Sequence, residues 1–174
     1  MLGESVAVRN VSGRVVVTNR PKRKMGKPSD KQSAVQDKFL AASQYANQEI
    51  ELEESKALYA TGITPRKRSA YMVALTDYLS APKVSSIETL DYHGAIGDPI
   101  VVHAIDDFRV TKVTIVITNA AGAIIEQGEV VPDRQRVILW DYKATATNPA
   151  VTGTKIRVVA YDRPGNKGMA EVVL

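Results

Sequence analysis

Asp106, Asp107, Asp162 and Asn166 are the residues whose types and spacing best suit chemistry. Asp106 and Asp107 close the run Ala104-Ile105-Asp106-Asp107-Phe108, and Asp162 and Asn166 belong to Ala160-Tyr161-Asp162-Arg163-Pro164-Gly165-Asn166. Both corners follow an alternating apolar stretch. Carboxylate and amide oxygens are hard donors, and gathered at one point they would suit Ca²⁺. The same residue types also cap turns through the neighbouring backbone. Arg109 and Arg163 lie beside them and supply neutralising charge, which favours turn capping. No cofactor is expected, and Ca²⁺ is the ion this set would suit.

Nothing else in the chain has the form of a catalytic apparatus. His93 and His103 have no Ser or Cys partner in a recognisable arrangement, and there is no cysteine for a thiolate site or disulfide. No nucleophile elbow, phosphate loop or zinc spacing occurs. Gly94-Ala95-Ile96-Gly97 follows no βα pattern and reads as a strand connection. Glu49, Glu51, Glu53 and Glu54 form an acidic run without His partners, which reads as a solvated helix face. A non-enzymatic protein is expected.

The 174 residues allow one large domain or two small ones. Their charge is unevenly placed. Residues 1–90 hold 14 Lys/Arg against 9 Asp/Glu, and residues 91–174 hold 9 against 10. The basic character concentrates in Arg20, Lys22, Arg23, Lys24, Lys27 and Lys31, broken by Pro21, Gly26 and Pro28. Such a segment suits an acidic protein surface or a phosphate backbone. No aromatic is interleaved, so base stacking is not indicated. Arg66-Lys67-Arg68 is a second basic cluster with the same two uses. Met1 to Val8 contains no apolar signal region, so a cytoplasmic protein, or one packaged into a particle assembled there, is expected.

The elements that must position these residues fall into two regions, 1–82 and 83–174. Val6–Asn10 and Arg14–Thr18 flank Ser12-Gly13 and read as a short hairpin. Ser29-Asp30-Lys31-Gln32 has the form of a capping box, predicting a helix from Asp30 to Gln48 with Val35, Phe39, Ala42 and Ala46 on one stripe. Glu49–Ala60 continues helical to Gly62. Thr64-Pro65 predicts the N-cap of a third helix ending near Ser80, with Arg66–Arg68 in its first turn. From Val84 the period becomes alternating. Seven strands are predicted: Val84–Tyr92, Pro99–Ile105, Val110–Thr118, Ala123–Val131, Arg136–Tyr142, Lys155–Tyr161 and Met169–Leu174. One apolar and one polar face per strand marks antiparallel sheets. Trp140, the only tryptophan, is expected to be buried. The fold class is therefore α+β: a basic arm and helical region, then an all-β sandwich.

Several residues of this second region carry a resemblance. They are Gly97-Asp98-Pro99-Ile100, the Ala104–Phe108 corner leading to Val110 and Val113, Gly128, Trp140-Asp141-Tyr142, Gly153, and Ala160-Tyr161-Asp162 with Gly165-Asn166. The region resembles the bacterial immunoglobulin-like and fibronectin-type-III-like sandwiches over roughly residues 84–174. In that topology the second and sixth predicted strands run the same way, which would put Asp106, Asp107, Asp162 and Asn166 at one end. The resemblance implies adhesion, spacing or protein-contact roles, in surface proteins and phage particles. The basic N-terminal pattern resembles short bacterial and phage proteins. The resulting expectation is a structural or interaction protein, such as a virion component, docking through its arm and helices in an oligomeric assembly. A nucleic-acid-associated protein and an accessory module of an enzyme complex are the alternatives.

Overall fold

The computed structural model describes residues 6–11, 13–19 and 29–174. Arg20, Lys22, Arg23, Lys24 and Lys27 lie outside the described residues. The elements in chain order are β1 (Val6–Val11), β2 (Arg14–Asn19), α1 (Asp30–Glu51), α2 (Glu53–Ala60), α3 (Ala70–Leu79), β3 (Lys83–Glu88), β4 (Pro99–Ile105), β5 (Lys112–Thr118), β6 (Ile124–Pro132), β7 (Leu139–Lys143), β8 (Lys155–Tyr161) and β9 (Lys167–Val173). Helices thus precede Pro82 and strands follow it, as the change of period predicts. The compact units divide elsewhere, into residues 1–35 and 36–174. The three helices are not a region apart from the strands: α2, α3 and most of α1 belong to the same unit as the sandwich.

The seven strands after Pro82 form one antiparallel sheet in the order β3-β4-β7-β6-β5-β8-β9. Its seam is short. β6 pairs with β5 from Ile124 to Val130 but with β7 only through Val131 and Pro132. The sheet folds over there, so that β3, β4 and β7 face β6, β5, β8 and β9 across one core. Alternation supplies that core. Ile100, Val102 and Ala104 of β4, Val113, Ile115 and Ile117 of β5, and Ile156, Val158 and Ala160 of β8 are all buried. They are the inward residues that a period of two predicts. Trp140 is buried on β7, opposite Val102.

β3 and β9, the two ends of the sheet order, approach each other and nearly close it. Gly168 makes that approach possible. A Cβ there would lie 1.8 Å from the Pro82 carbonyl oxygen, inside any allowed contact.

Some boundaries differ from the sequence reading. The strand predicted from Arg136 begins at Leu139, because the Asp133 carboxylate accepts the Gln135 and Arg136 amides and holds a loop there. The strand predicted to Tyr92 stops at Glu88, before a turn closed by Tyr92 N–H on the Thr89 carbonyl. The third helix is capped by Ser69, whose hydroxyl accepts the Met72 amide, and not by Thr64. Thr64 instead closes a turn with Lys67, by its own N–H on the Lys67 carbonyl and the Lys67 N–H on its hydroxyl. Arg66–Arg68 therefore lies in a loop before α3 and meets no helix dipole.

Gly168→Ala is expected to lower stability by about 2 kcal/mol or more, since backbone must move to admit the methyl group. A urea unfolding midpoint equal to that of the unsubstituted protein would contradict the closure of β9 onto Pro82.

Candidate functional site

The corner after β4 and the corner after β8 lie at the same end of the sandwich, and α3 lies against them. Asp106 from the first corner, Asp162 from the second and Asp77 from α3 place carboxylate oxygens within 4.8 Å of one another. Asp77 is fully buried, Asp162 nearly so, and Asp106 partly.

Each corner is built by its own acid. Asp162 accepts the amides of Gly165 at 2.8 Å and Asn166 at 2.6 Å, which turns the chain from β8 into β9. Gly165 sits at φ +95°, the left-handed region that suits glycine. Asp106 accepts the amides of Arg109 at 3.1 Å and Phe108 at 3.4 Å. Turn capping is therefore real for both. It uses Oδ1 of Asp162 and Oδ2 of Asp106.

The same corner clasps the helices. Asn166 Nδ2 donates to Asp162 Oδ2 at 2.7 Å and reaches the Tyr78 carbonyl at 3.2 Å, with the Asp77 and Ser80 carbonyls at 3.4 Å. These are the last carbonyls of α3 and its cap, which have no partner within the helix. Arg163 Nε donates to Glu49 at 3.1 Å and its Nη2 to Ser55 Oγ at 2.7 Å, so one side chain holds the ends of α1 and α2. Tyr59 of α2, fully buried, donates its hydroxyl to Asp77 Oδ2 at 2.8 Å and stacks at 4.8 Å on Phe108 of the β4 corner. Tyr45 shares a 2.7 Å hydrogen bond with the Tyr59 hydroxyl.

Burial pushes the Asp77 carboxyl up to about 7, opposed by the Tyr59 hydrogen bond and helped by the charges of Asp106 and Asp162 and by a side-chain hydrogen bond with Asp106. Burial also raises Asp162, against the amides it accepts. Asp77 Oδ1 and Asp106 Oδ1 are buried without a hydrogen-bond donor from outside the acidic cluster.

The four residues singled out from sequence thus separate. Asp106 and Asp162 meet. Asp107 does not join them: it accepts from Lys67 Nζ at 2.5 Å, fastening the loop before α3 to the β4 corner. Asn166 presents its amide nitrogen, so it is a donor here and not a ligand. Asp77 was missed. The signal for it was one acid within an otherwise apolar helix face, next to Leu75 and Tyr78. Lys67 is thereby engaged within the chain, while Lys31, Arg66 and Arg68 are exposed. His103 pairs with Glu88 across β3 and β4 at 2.6 Å, and His93 is exposed.

No family model matches the chain, and no curated protein matches it. Among solved structures, it is similar to a tetra-tandem repeat from the extending region of a large adhesion protein, with 18% identity and a TM-score of 0.35. That match covers 55% of this chain and 24% of the other. A second is the catalytic module of a multi-modular glycogen-degrading pneumococcal virulence factor, with 15% identity, a TM-score of 0.30, and coverage of 47% and 13%. The chain thus spans about a quarter or less of the structures it matches.

A raised carboxyl binds its proton more tightly in the folded than in the unfolded chain. Its contribution is complete below about pH 4 and is lost as pH rises toward 7. In metal-free buffer the urea midpoint of the protein is expected to fall over that window relative to Asp77→Asn, which has no proton to lose. Parallel pH curves for the two proteins would contradict the burial of this charge.

Proposed function

We propose that this protein is a non-enzymatic structural or interaction protein, a subunit of a multi-subunit assembly of virion type. The hairpin β1–β2 is the observation that supports this reading most. Residues directly opposite in an antiparallel pair share a face. Val8 faces Val17 and Val15 faces Asn10, so Val6, Val8, Val15 and Val17 lie on one side. Ala7, Arg9, Val11, Arg14, Val16 and Thr18 lie on the other. Val8, Val15 and Val17 are 66%, 70% and 63% exposed. A two-stranded ribbon with an uncovered valine face is marginal in water and has two free edges. A neighbouring protein subunit would cover that face, with Arg9 and Arg14 left outward on the back.

The basic segment Arg20–Lys31 follows directly and would meet acidic groups of the same neighbour. The strand order β3-β4-β7-β6-β5-β8-β9 suits an immunoglobulin-like sandwich serving as the rigid contact module. The exposed Phe39 and Leu40 of α1 add apolar surface for docking. Such an assembly would form in the cytoplasm.

Val8→Thr with Val17→Thr keeps β-branched residues at an opposed pair while removing the apolar surface. By light scattering, the unsubstituted protein is expected to exceed the mass of one chain. The double variant is expected to return to one chain with an unchanged unfolding midpoint for the sandwich. A monomeric unsubstituted protein that binds generic DNA with a salt slope near −0.9 per phosphate would overturn this reading in favour of nucleic-acid binding.

A further inference from the structure

We propose that Asp77, Asp106 and Asp162 form a divalent-cation site, for Ca²⁺ or an ion of the same hard character, which clamps α3 to the two corners of the sandwich. Two independent observations carry it. The first is the charge balance. Three carboxylates from three separate segments converge within 4.8 Å. Among the described residues none of them forms a salt bridge, because the flanking cations are engaged elsewhere. Arg163 holds Glu49 and Ser55, Arg109 donates to Thr61, and Lys67 holds Asp107. Buried charge without a counter-ion is costly, and a divalent ion would offset two of the three.

The second observation is the pair of vacant oxygens. Asp77 is completely buried, its Oδ2 is taken by Tyr59, and no donor outside the acidic cluster reaches its Oδ1. Asp106 repeats the pattern, with Oδ2 on loop amides and Oδ1 without one. Both of these oxygens belong to the carboxylates that converge. The donor set is all oxygen, with no His and no Cys, which suits hard cations and disfavours zinc or copper. Oxygens within 4.8 Å of one another can share one Ca²⁺ with ligands about 2.4 Å from the ion, and water would complete the six to eight positions.

Tyr59 supplies a direct probe. Its hydroxyl lies 2.8 Å from Asp77, so Tb³⁺ bound at this site would be excited through tyrosine. The full chain, stripped with chelator and dialysed near pH 7.5, is titrated with CaCl₂ by calorimetry and with Tb³⁺ by luminescence. One saturable site is expected. Ca²⁺ at about a hundredfold its dissociation constant is expected to raise Tm by roughly 5–10 °C. Ca²⁺ should also displace the Tb³⁺ signal. Asp77→Asn and Asp106→Asn should each abolish the luminescence and the Ca²⁺-dependent Tm shift, while Asp91→Asn, an exposed control, leaves both intact. If an Asn variant fails to fold, competition of Ca²⁺ against Tb³⁺ in the unsubstituted chain still decides the matter. The same Tm in Ca²⁺ and in chelator, or a Tb³⁺ signal that survives both Asn substitutions, would overturn the proposal.

Discussion

Removing carboxylates from water is the constraint on which unit 36–174 depends. Asp77 sits inside the junction between α3 and the sandwich, where an uncompensated charge is costly. Its surroundings are organised around that cost. Tyr59 is fixed by donating to it, Phe108 is fixed by stacking on Tyr59, and Gly62 leaves the space that Phe108 and Val73 fill. The corner acids serve twice, once in turning the chain and once in facing Asp77. The corner cation and amide, Arg163 and Asn166, then hold helix ends that have no other partner. Helices and strands become one body through polar contacts at one end and through Phe108, which packs into the helices' own buried cluster, separate from the core of the sandwich.

The hairpin is the opposite case. It has complete backbone pairing from Val6–Asn19 to Val11–Arg14, yet it has no core. Val6, Val8, Val15 and Val17 meet solvent on one face, and Arg9 and Arg14 lie on the other with Val11 and Val16. In the interior of the sandwich, residues of the same kind are fully buried, as Val102, Val113 and Val158 are. The same β-branched chemistry gives a self-sufficient sheet where seven strands fold over each other, and an incomplete one where only two do. This difference separates a sheet with its own core from a ribbon without one.

Much of this was legible in the sequence because periodicity is a local property. Alternation placed β4, β5 and β8 and their inward residues, and the common end of the two acidic corners was what the resemblance to immunoglobulin-like sandwiches implied. What failed was not local. Thr64-Pro65 has the form of an N-cap, but the chain spends five more residues in a loop so that Lys67 can reach Asp107, and Ser69 starts the helix. The stripe on α1 reads as facing either the core or a partner. Only Ala42 and Ala46 are buried, while Val35 and Phe39 are exposed, because helical spacing shows which residues align and not where the neighbouring layer ends. Asp77 was illegible for a related reason. A lone acid on an apolar stripe acquires its meaning only when corners 29 and 85 residues away close over it.

The central claim is that the helices and the sandwich unfold together through the acidic junction. Hydrogen exchange resolved by peptide tests it most directly. The most protected amides of α3 and α2 are expected to exchange at the rate of global unfolding shared by β4, β5 and β8, and Asn166→Ala should speed the helices more than the strands. Exchange of α3 orders of magnitude faster than that of the core strands in the unsubstituted protein would contradict the account.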